Sequence, residues 1–261
     1  MSDQALRRLH ILSDQINPPQ DLPYSLFAFG FKGNCEVLGF YNALLQALRL
    51  PCHFRPHASE SLSEVLQGLR ASSCLGACLE GQLGAAVLPI VDVAEAEVRE
   101  IGNVDLVVKR GNQLIGINTQ FLALLSVLGS ASELNRRRNA VILGCGEFCK
   151  VALCALRRIG LLDITVFSDS LPLLRKLPWA RKTTHSSSLD PVDIAIICEA
   201  NLPIPPLHPH ALVLDLTERE GHWERECWFY GAEDLRTWRL WHQARELTGA
   251  HVDFAWVRAH K

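Results

Sequence analysis

Short apolar runs alternate with stretches of helical spacing along most of this chain. Tyr24 to Phe29 is apolar and closed by Gly30, which predicts a strand. From Val37 to Arg49 the apolar residues Phe40, Ala43, Leu44, Ala47 and Leu48 recur at helical spacing and stop before Pro51. His53 to Pro56, Leu62 to Leu69 and Cys74 to Leu79 then read as strand, helix and strand. Strands separated by covering helices are the βαβ signature of a mostly parallel sheet. Further on, Asp105 to Lys109 and Gln113 to Ile117 flank Arg110-Gly111-Asn112, which predicts a hairpin, and a helix runs from Thr119 through Leu128.

Between Gly129 and Asn139 the sequence is Ser-rich and then basic, without periodicity, the best candidate for a domain boundary. The clearest pattern follows it. Ala140-Val141-Ile142-Leu143 is a fully apolar strand, and Gly144-Cys145-Gly146-Glu147-Phe148-Cys149 opens a helix with Val151, Ala152, Ala155, Leu156 and Ile159 on one face. Gly160 ends that helix, and strands follow at Asp163 to Phe167, Val192 to Cys198 and Ala211 to Leu216. A Trp-rich helix from about Ala232 to Leu247 carries Leu235, Trp238 and Trp241. At the other end, Leu6, Leu9, Ile11 and Leu12 make a short amphipathic segment stopped by Pro18-Pro19. The pattern divides the chain into an N-terminal extension (1–23), a first α/β domain (24–120), a dinucleotide-type domain (121–231) and C-terminal helices (232–261).

Composition narrows the class. The chain has 261 residues, enough to bury a real core, with 48% hydrophobic and 21% charged content. A formal net charge of -2 gives no electrostatic footprint for nucleic acid or an anionic membrane. Arg136-Arg137-Arg138 reads as a solvated linker. The nine cysteines are odd in number, and Cys74/Cys78 and Cys145/Cys149 lack a second ligand pair, so reduced thiols used as small apolar residues are favoured. The alternative for Cys145 and Cys149, at a helix start, is a pair of activated thiolates. His208, His210, His222 and Cys227 fit no familiar zinc spacing. With no secretory signal and no apolar stretch long enough to span a bilayer, the expectation is a cytoplasmic protein.

The motif with chemical content is Gly144-x-Gly146-x-x-Cys149. The first glycine permits a tight turn, the second lets a pyrophosphate approach the backbone, and Cys149 is small enough for close helix–strand packing. Free N–H groups at the helix start would meet the phosphates. About 25 residues beyond Gly144, at the end of the next strand, Ser168-Asp169 offers an acceptor for ribose hydroxyls and repels a 2′-phosphate, which favours NAD over NADP. Glu147 is a negative charge placed where phosphates would arrive, and it supports the competing view of a pocket that no longer binds.

The order of these segments resembles the shikimate dehydrogenase family. Phe29-Gly30 followed by Phe40-Tyr41-Asn42-Ala43 is similar to that family's opening strand, serine loop and "H-N" helix. Ile101-Gly102-Asn103-Val104, Gly111 and Gly116-Ile117-Asn118-Thr119 are similar to its "I-G-A-V-N-T … G … G-x-N-T-D" run. Gly144 to Cys149 is similar to its "G-A-G-G-A" loop, and Tyr230-Gly231-Ala232-Glu233 with Trp241 and Gly249 to its closing helix. The resemblance runs over nearly the whole chain from Tyr24. It implies a substrate domain joined to a Rossmann domain, a cleft between them for substrate and nicotinamide, and a last helix that returns to the first domain.

For mechanism the resemblance implies loss. The family's Lys–Asp pair, which moves and orients the reacting proton, falls on Gly84 and Gln120. No lysine lies between Lys32 and Lys109. The two carboxylate-binding serines fall on Cys35 and Val37, and the other substrate contacts on Cys78, Glu80, Asp105 and Tyr230. A carboxylate would be repelled by Glu80 and Asp105. The family's NADP-selecting arginine falls on Asp169. Gly144, Gly146, Glu147, Phe148, Ser168, Asp169 and Gly231 form the expected cofactor site. Lys32, Tyr230 and Gln120 are the catalytic candidates, Lys32 or Tyr230 as proton donor. Two functions stand open: an NAD-linked oxidoreductase acting on a small molecule other than shikimate, and a catalytically inactive binding or regulatory protein. The expected partner is a small-molecule ligand, with the chain a monomer or homodimer.

Overall fold

The computed structural model describes residues 24–30, 35–50, 52–57, 61–130, 139–175, 177, 180–184, 190–217 and 227–260, with side chains 35–38 and 53 left out. The N-terminal extension, Lys32, the side chains of Cys35 and Val37, the Arg136 cluster and His222 lie outside the described residues. The chain divides into two compact units at Thr119/Gln120 and at Trp238/Arg239. Sequence reasoning put the second boundary at Gly231/Ala232, an element edge; the division falls inside a continuous helix.

The first unit is a mixed α/β layer structure. Its elements are β1 (Tyr24–Phe29), α1 (Cys35–Ala47), β2 (Cys52–His57), α2 (Leu62–Arg70), β3 (Cys74–Leu79), α3 (Leu83–Val87), β4 (Val93–Ala94), α4 (Ala96–Ile101), β5 (Leu106–Arg110) and β6 (Gln113–Ile117). The sheet order is β2-β1-β3-β5-β6-β4. β1 lies parallel to β2 and β3, β5 runs antiparallel to both β3 and β6, and β4 lies parallel to β6. Gly111 takes φ +59 in the β5–β6 turn, as the Arg110-Gly111-Asn112 pattern required.

Two apolar layers clothe this sheet. On one side Phe29, Val65, Leu69, Leu79, Leu83 and Val107 pack together. On the other, Leu26, Phe40, Tyr41, Leu44, Phe54 and Leu106 pack with Leu240, Ala244, Leu247, Val252 and Val257. The Tyr41 and Phe54 rings stack with centroids 4.2 Å apart. The late residues come from α8 (Ala232–Thr248) and α9 (Phe254–His260). Trp241 fixes the turn between these helices by donating its indole N–H to the Val252 carbonyl at 2.7 Å. A buried Trp needs such a partner.

The second unit is built on α5 (Thr119–Ser130), β7 (Asn139–Leu143), α6 (Glu147–Arg158), β8 (Asp163–Phe167), α7 (Leu171–Leu174), β9 (Arg181–Thr183), β10 (Val192–Ile197), β11 (Leu207–Asp215) and β12 (Trp228–Gly231). Its sheet order is β12-β11-β10-β7-β8-β9, and every neighbouring pair is parallel. Counted from β7, that is the order 3-2-1-4-5-6 of a doubly wound dinucleotide fold. Strands β7 and β10 are buried on both faces, which is why they read as continuous apolar runs. β12 and the short β9 were missed by sequence pattern; both are edge strands with little apolar alternation.

Candidate functional site

In a doubly wound sheet the ligand crevice opens at the carboxyl ends of the two strands where the order reverses. Here those strands are β7 and β10. β7 ends at Leu143, and Gly144 turns the chain with φ +105, a conformation closed to other residues. Gly146 is the residue before α6, with extended backbone. A Cβ added to Gly146 would meet nothing within 4 Å, so the space above it is open. Gly146 has no side chain to cap the first turn of α6; Cys149 N donates to the Gly146 carbonyl at 3.1 Å, and the Glu147 and Phe148 amides remain uncapped. Cys149 is fully buried against the strand, as the third position requires. Phe148 is half-buried and Glu147 exposed in the first helical turn.

At the end of β8, Ser168 is buried and accepts a hydrogen bond from Ser170 N at 3.2 Å, while Asp169 is exposed. Gly231 ends β12, where its N–H donates to Asp234 Oδ2 at 3.0 Å at the start of α8. The loop, the open glycine and the exposed acid at the next strand end fit a dinucleotide. One feature departs from that fit. Glu199, just after β10, accepts a hydrogen bond from Cys145 N at 3.0 Å.

Two thiols in this region are held protonated. Burial pushes Cys149 far up, with Cys198, Cys145 and Glu199 adding to the shift. Burial, then Glu199 and Asp215, push Cys198 up to about 12. The activated-thiolate alternative for Cys149 is therefore overturned: a helix start cannot offset removal from water and neighbouring negative charge.

Of the substrate-type residues, Cys78, Glu80 and Asp105 come together in the first unit, all within electrostatic reach of Arg239. The Asp105 carboxylate, 4% exposed, accepts from Thr119 N at 2.6 Å and Thr119 Oγ1 at 2.7 Å, and from Arg239 Nε at 3.2 Å. Beneath it Cys78 Sγ lies 3.9 Å from Tyr41 Oη, and Tyr41 donates to Gln243 Oε1. Burial holds Cys78 up at about 12 and raises Tyr41 well above its ordinary value, so both stay neutral and neither supplies a base. Glu80 is half-buried at the end of β3, with its N–H bonded to the Phe29 carbonyl at 3.1 Å.

Arg239 is the residue that sequence reasoning missed, and it corrects the expected electrostatics. Asp105 and Glu80 were read as a purely acidic lining; Arg239 neutralises the first. Burial opposes the charge on its guanidinium, but the attraction of the carboxylates Asp105 and Glu80 outweighs it, so Arg239 stays charged. A signal existed: Arg239 and Gln243, four apart, sit on the same helical stripe as Leu235, Leu240 and Leu247. Two long polar side chains on an apolar stripe need partners inside.

Two other candidates fall elsewhere. Tyr230 belongs to the second unit, its hydroxyl 2.9 Å from Ser130 Oγ. Gln120, half-buried, directly follows the Thr119 that holds Asp105. Gly84 is packed so closely that an added Cβ would lie 1.9 Å from the Val104 carbonyl oxygen and 2.0 Å from Asn103 Oδ1.

No family model matches the chain. Over 140 residues it is 25% identical to a shikimate dehydrogenase (NADP(+)) of Bacillus cytotoxicus, covering 52% of this chain and 50% of that one. Over that stretch the chain is similar in sequence to the shikimate dehydrogenases. The matched stretch spans about half the length of that relative. Among solved structures, a shikimate 5-dehydrogenase-like protein superposes with a TM-score of 0.80 at 15% identity, over 92% of this chain and 98% of that one. The ligand-free 5-ketofructose reductase of a Gluconobacter species gives 0.75 at 17% identity, over 92% and 98%. These two likenesses are of fold, and the fold hosts more than one reductase reaction.

Proposed function

We propose that the chain is a dinucleotide-linked oxidoreductase of the shikimate dehydrogenase fold that acts on a small molecule other than shikimate. The observation that carries this reading is the open glycine loop at the reversal point of the 3-2-1-4-5-6 sheet, with Asp169 exposed at the neighbouring strand end. Gly144, Gly146 and Phe148 with the α6 amides would receive the pyrophosphate, and Asp169 the ribose hydroxyls of the adenosine. The relative's name specifies NADP(+); Asp169, where the resemblance puts an arginine, argues for NAD in this chain by repelling a 2′-phosphate. When bound, the nicotinamide supplies the hydride chemistry.

Shikimate itself is disfavoured by the first unit. Gly84 stands where the resemblance puts the family's lysine, and the packing there admits no side chain. Asp105 is committed to Thr119 and Arg239, and Cys78 and Tyr41 are held neutral. Arg239 is the fixed positive charge of this region and is the group that would orient a substrate anion. A second reading, a cofactor- or ligand-binding protein without catalysis, is favoured by the Glu199 carboxylate on the loop.

The experiment is calorimetric titration of the full chain with NAD, NADH, NADP and NADPH separately. Saturable binding, with the NAD forms tighter, is the expected result. A substrate screen with the bound cofactor then separates the two readings by turnover. No binding of any of the four sinks the oxidoreductase reading.

A further inference from the structure

The ligand crevice of the second unit already holds a carboxylate. Glu199 Oε1 accepts from Cys145 N at 3.0 Å, inside the glycine loop. A Cβ built on Gly144 would lie 2.6 Å from Glu199 Cγ, 2.9 Å from Cδ and 3.0 Å from Oε1, so the carboxyl group rests on the loop itself. Its backbone is anchored there as well: Cys198 N and Glu199 N both donate to the Leu143 carbonyl, at 2.8 and 3.2 Å. Glu199 is therefore fixed between the ends of β7 and β10, the two strands that define the crevice.

The surroundings deepen the negative charge. Glu147 stands in the first turn of α6 and Asp169 at the end of β8. Asp215 closes β11, 3% exposed; its Oδ1 accepts from Thr217 N and Oγ1, and its Oδ2 is buried without a hydrogen-bond partner. Four carboxylates thus occupy the carboxyl edge of one sheet, where a glycine loop would ordinarily meet a pyrophosphate. Negative charge along this edge opposes the approach of a phosphate.

We propose that Glu199 is the residue that sets nucleotide affinity in this chain: its carboxylate competes with the dinucleotide's phosphates for the loop amides, and binding requires it to leave. The inference rests on the reading above, that this loop is the dinucleotide site. It predicts weak binding by the natural chain and a gain when the carboxylate is removed. Glu199→Ala frees both the amide and the volume, whereas Glu199→Gln keeps the volume and removes the charge.

The test is a fluorescence titration of NADH into the full-length chain and the two variants, with thermal unfolding to check folding. Glu199 is only half-buried and follows the strand, so both variants are expected to fold. Glu199→Ala should lower the Kd by about tenfold or more, with Glu199→Gln between it and the natural chain. Tight binding by the natural chain with no gain, or a loss, in Glu199→Ala overturns the inference and leaves the oxidoreductase reading standing. Absence of NADH binding by all three proteins defeats that reading, and this inference with it.

Discussion

Gly84 in the first unit and Gly146 in the second are both glycines beyond the end of a sheet strand, and they are glycines for opposite reasons. Around Gly84 the Val104 carbonyl and Asn103 Oδ1 fill the volume that a side chain would need. Asn103 Oδ1 is itself buried without a hydrogen-bond partner. Around Gly146 there is open space, with the Glu147 and Phe148 amides uncapped. Glycine in the first place marks a site closed by packing, and in the second a surface left open to a ligand. The residue type is the same; only the neighbours tell which is which. By this comparison the first unit is packed shut at Gly84, whereas the second keeps an open loop at Gly146.

The largest effect that would break the comparison is expected at Gly84. Gly84→Lys, which restores the residue the resemblance supplies, should destabilise the protein by about 4 kcal/mol or more through overpacking against backbone. Chemical denaturation measures it, and a variant as stable as the parent that also oxidises shikimate would overturn the closed-site view. Next comes the buried pair. Arg239→Met leaves Asp105 without its cation and should cost about 2–3 kcal/mol, less than a fully buried pair because a quarter of the Arg239 side-chain surface is exposed. Adding Asp105→Asn should recover part of that loss, and a double-mutant cycle with no coupling would remove Arg239 from the site.

The thiols sharpen the comparison by behaving alike in both units. Cys78 and Cys198 are each pushed up by burial to about 12 from an ordinary 9.0. A raised folded-state value means that the unfolded chain loses its proton first as pH rises. The stabilising contribution is therefore complete below pH 9 and is lost as pH climbs toward 12, at about 1.4 kcal/mol per pH unit for each thiol. Denaturation midpoints measured from pH 8 to 11 should fall accordingly, and Cys78 in the native protein should react slowly with iodoacetamide at pH 8. Rapid labelling of Cys78 would contradict its burial.

The smallest effect on stability belongs to Gly146. Gly146→Ala should change stability by no more than about 0.5 kcal/mol, because nothing stands near the new methyl. It should nonetheless weaken NADH binding by about tenfold, since the methyl occupies the approach to the loop. Unchanged affinity with unchanged stability would place the nucleotide elsewhere.

Much of the framework was legible in sequence because its signals are local. Strands β7 and β10 are buried on both faces and so appear as unbroken apolar runs, and a tight turn that only glycine can make announced the loop at Gly144. Strand β12 left little trace, since it pairs on one side alone and carries exposed Trp228 and Phe229. The Asp105–Arg239 pair was illegible from Asp105 itself, because its two members are 134 positions apart and meet only when α8 packs on the first unit's sheet.

What the sequence determined by itself was the alternation of strands and helices, the place of the dinucleotide-type loop and the absence of a lysine between Lys32 and Lys109. These are properties of composition and of spacing along one strand or helix. What only the tertiary structure decided was whether each position is open or filled: that Gly84 is jammed, that Gly146 is clear, that Arg239 answers Asp105, and that Glu199 lies on the loop. Volume and charge at a point in space are set by whichever distant segments converge there, and no local pattern along the chain encodes that convergence.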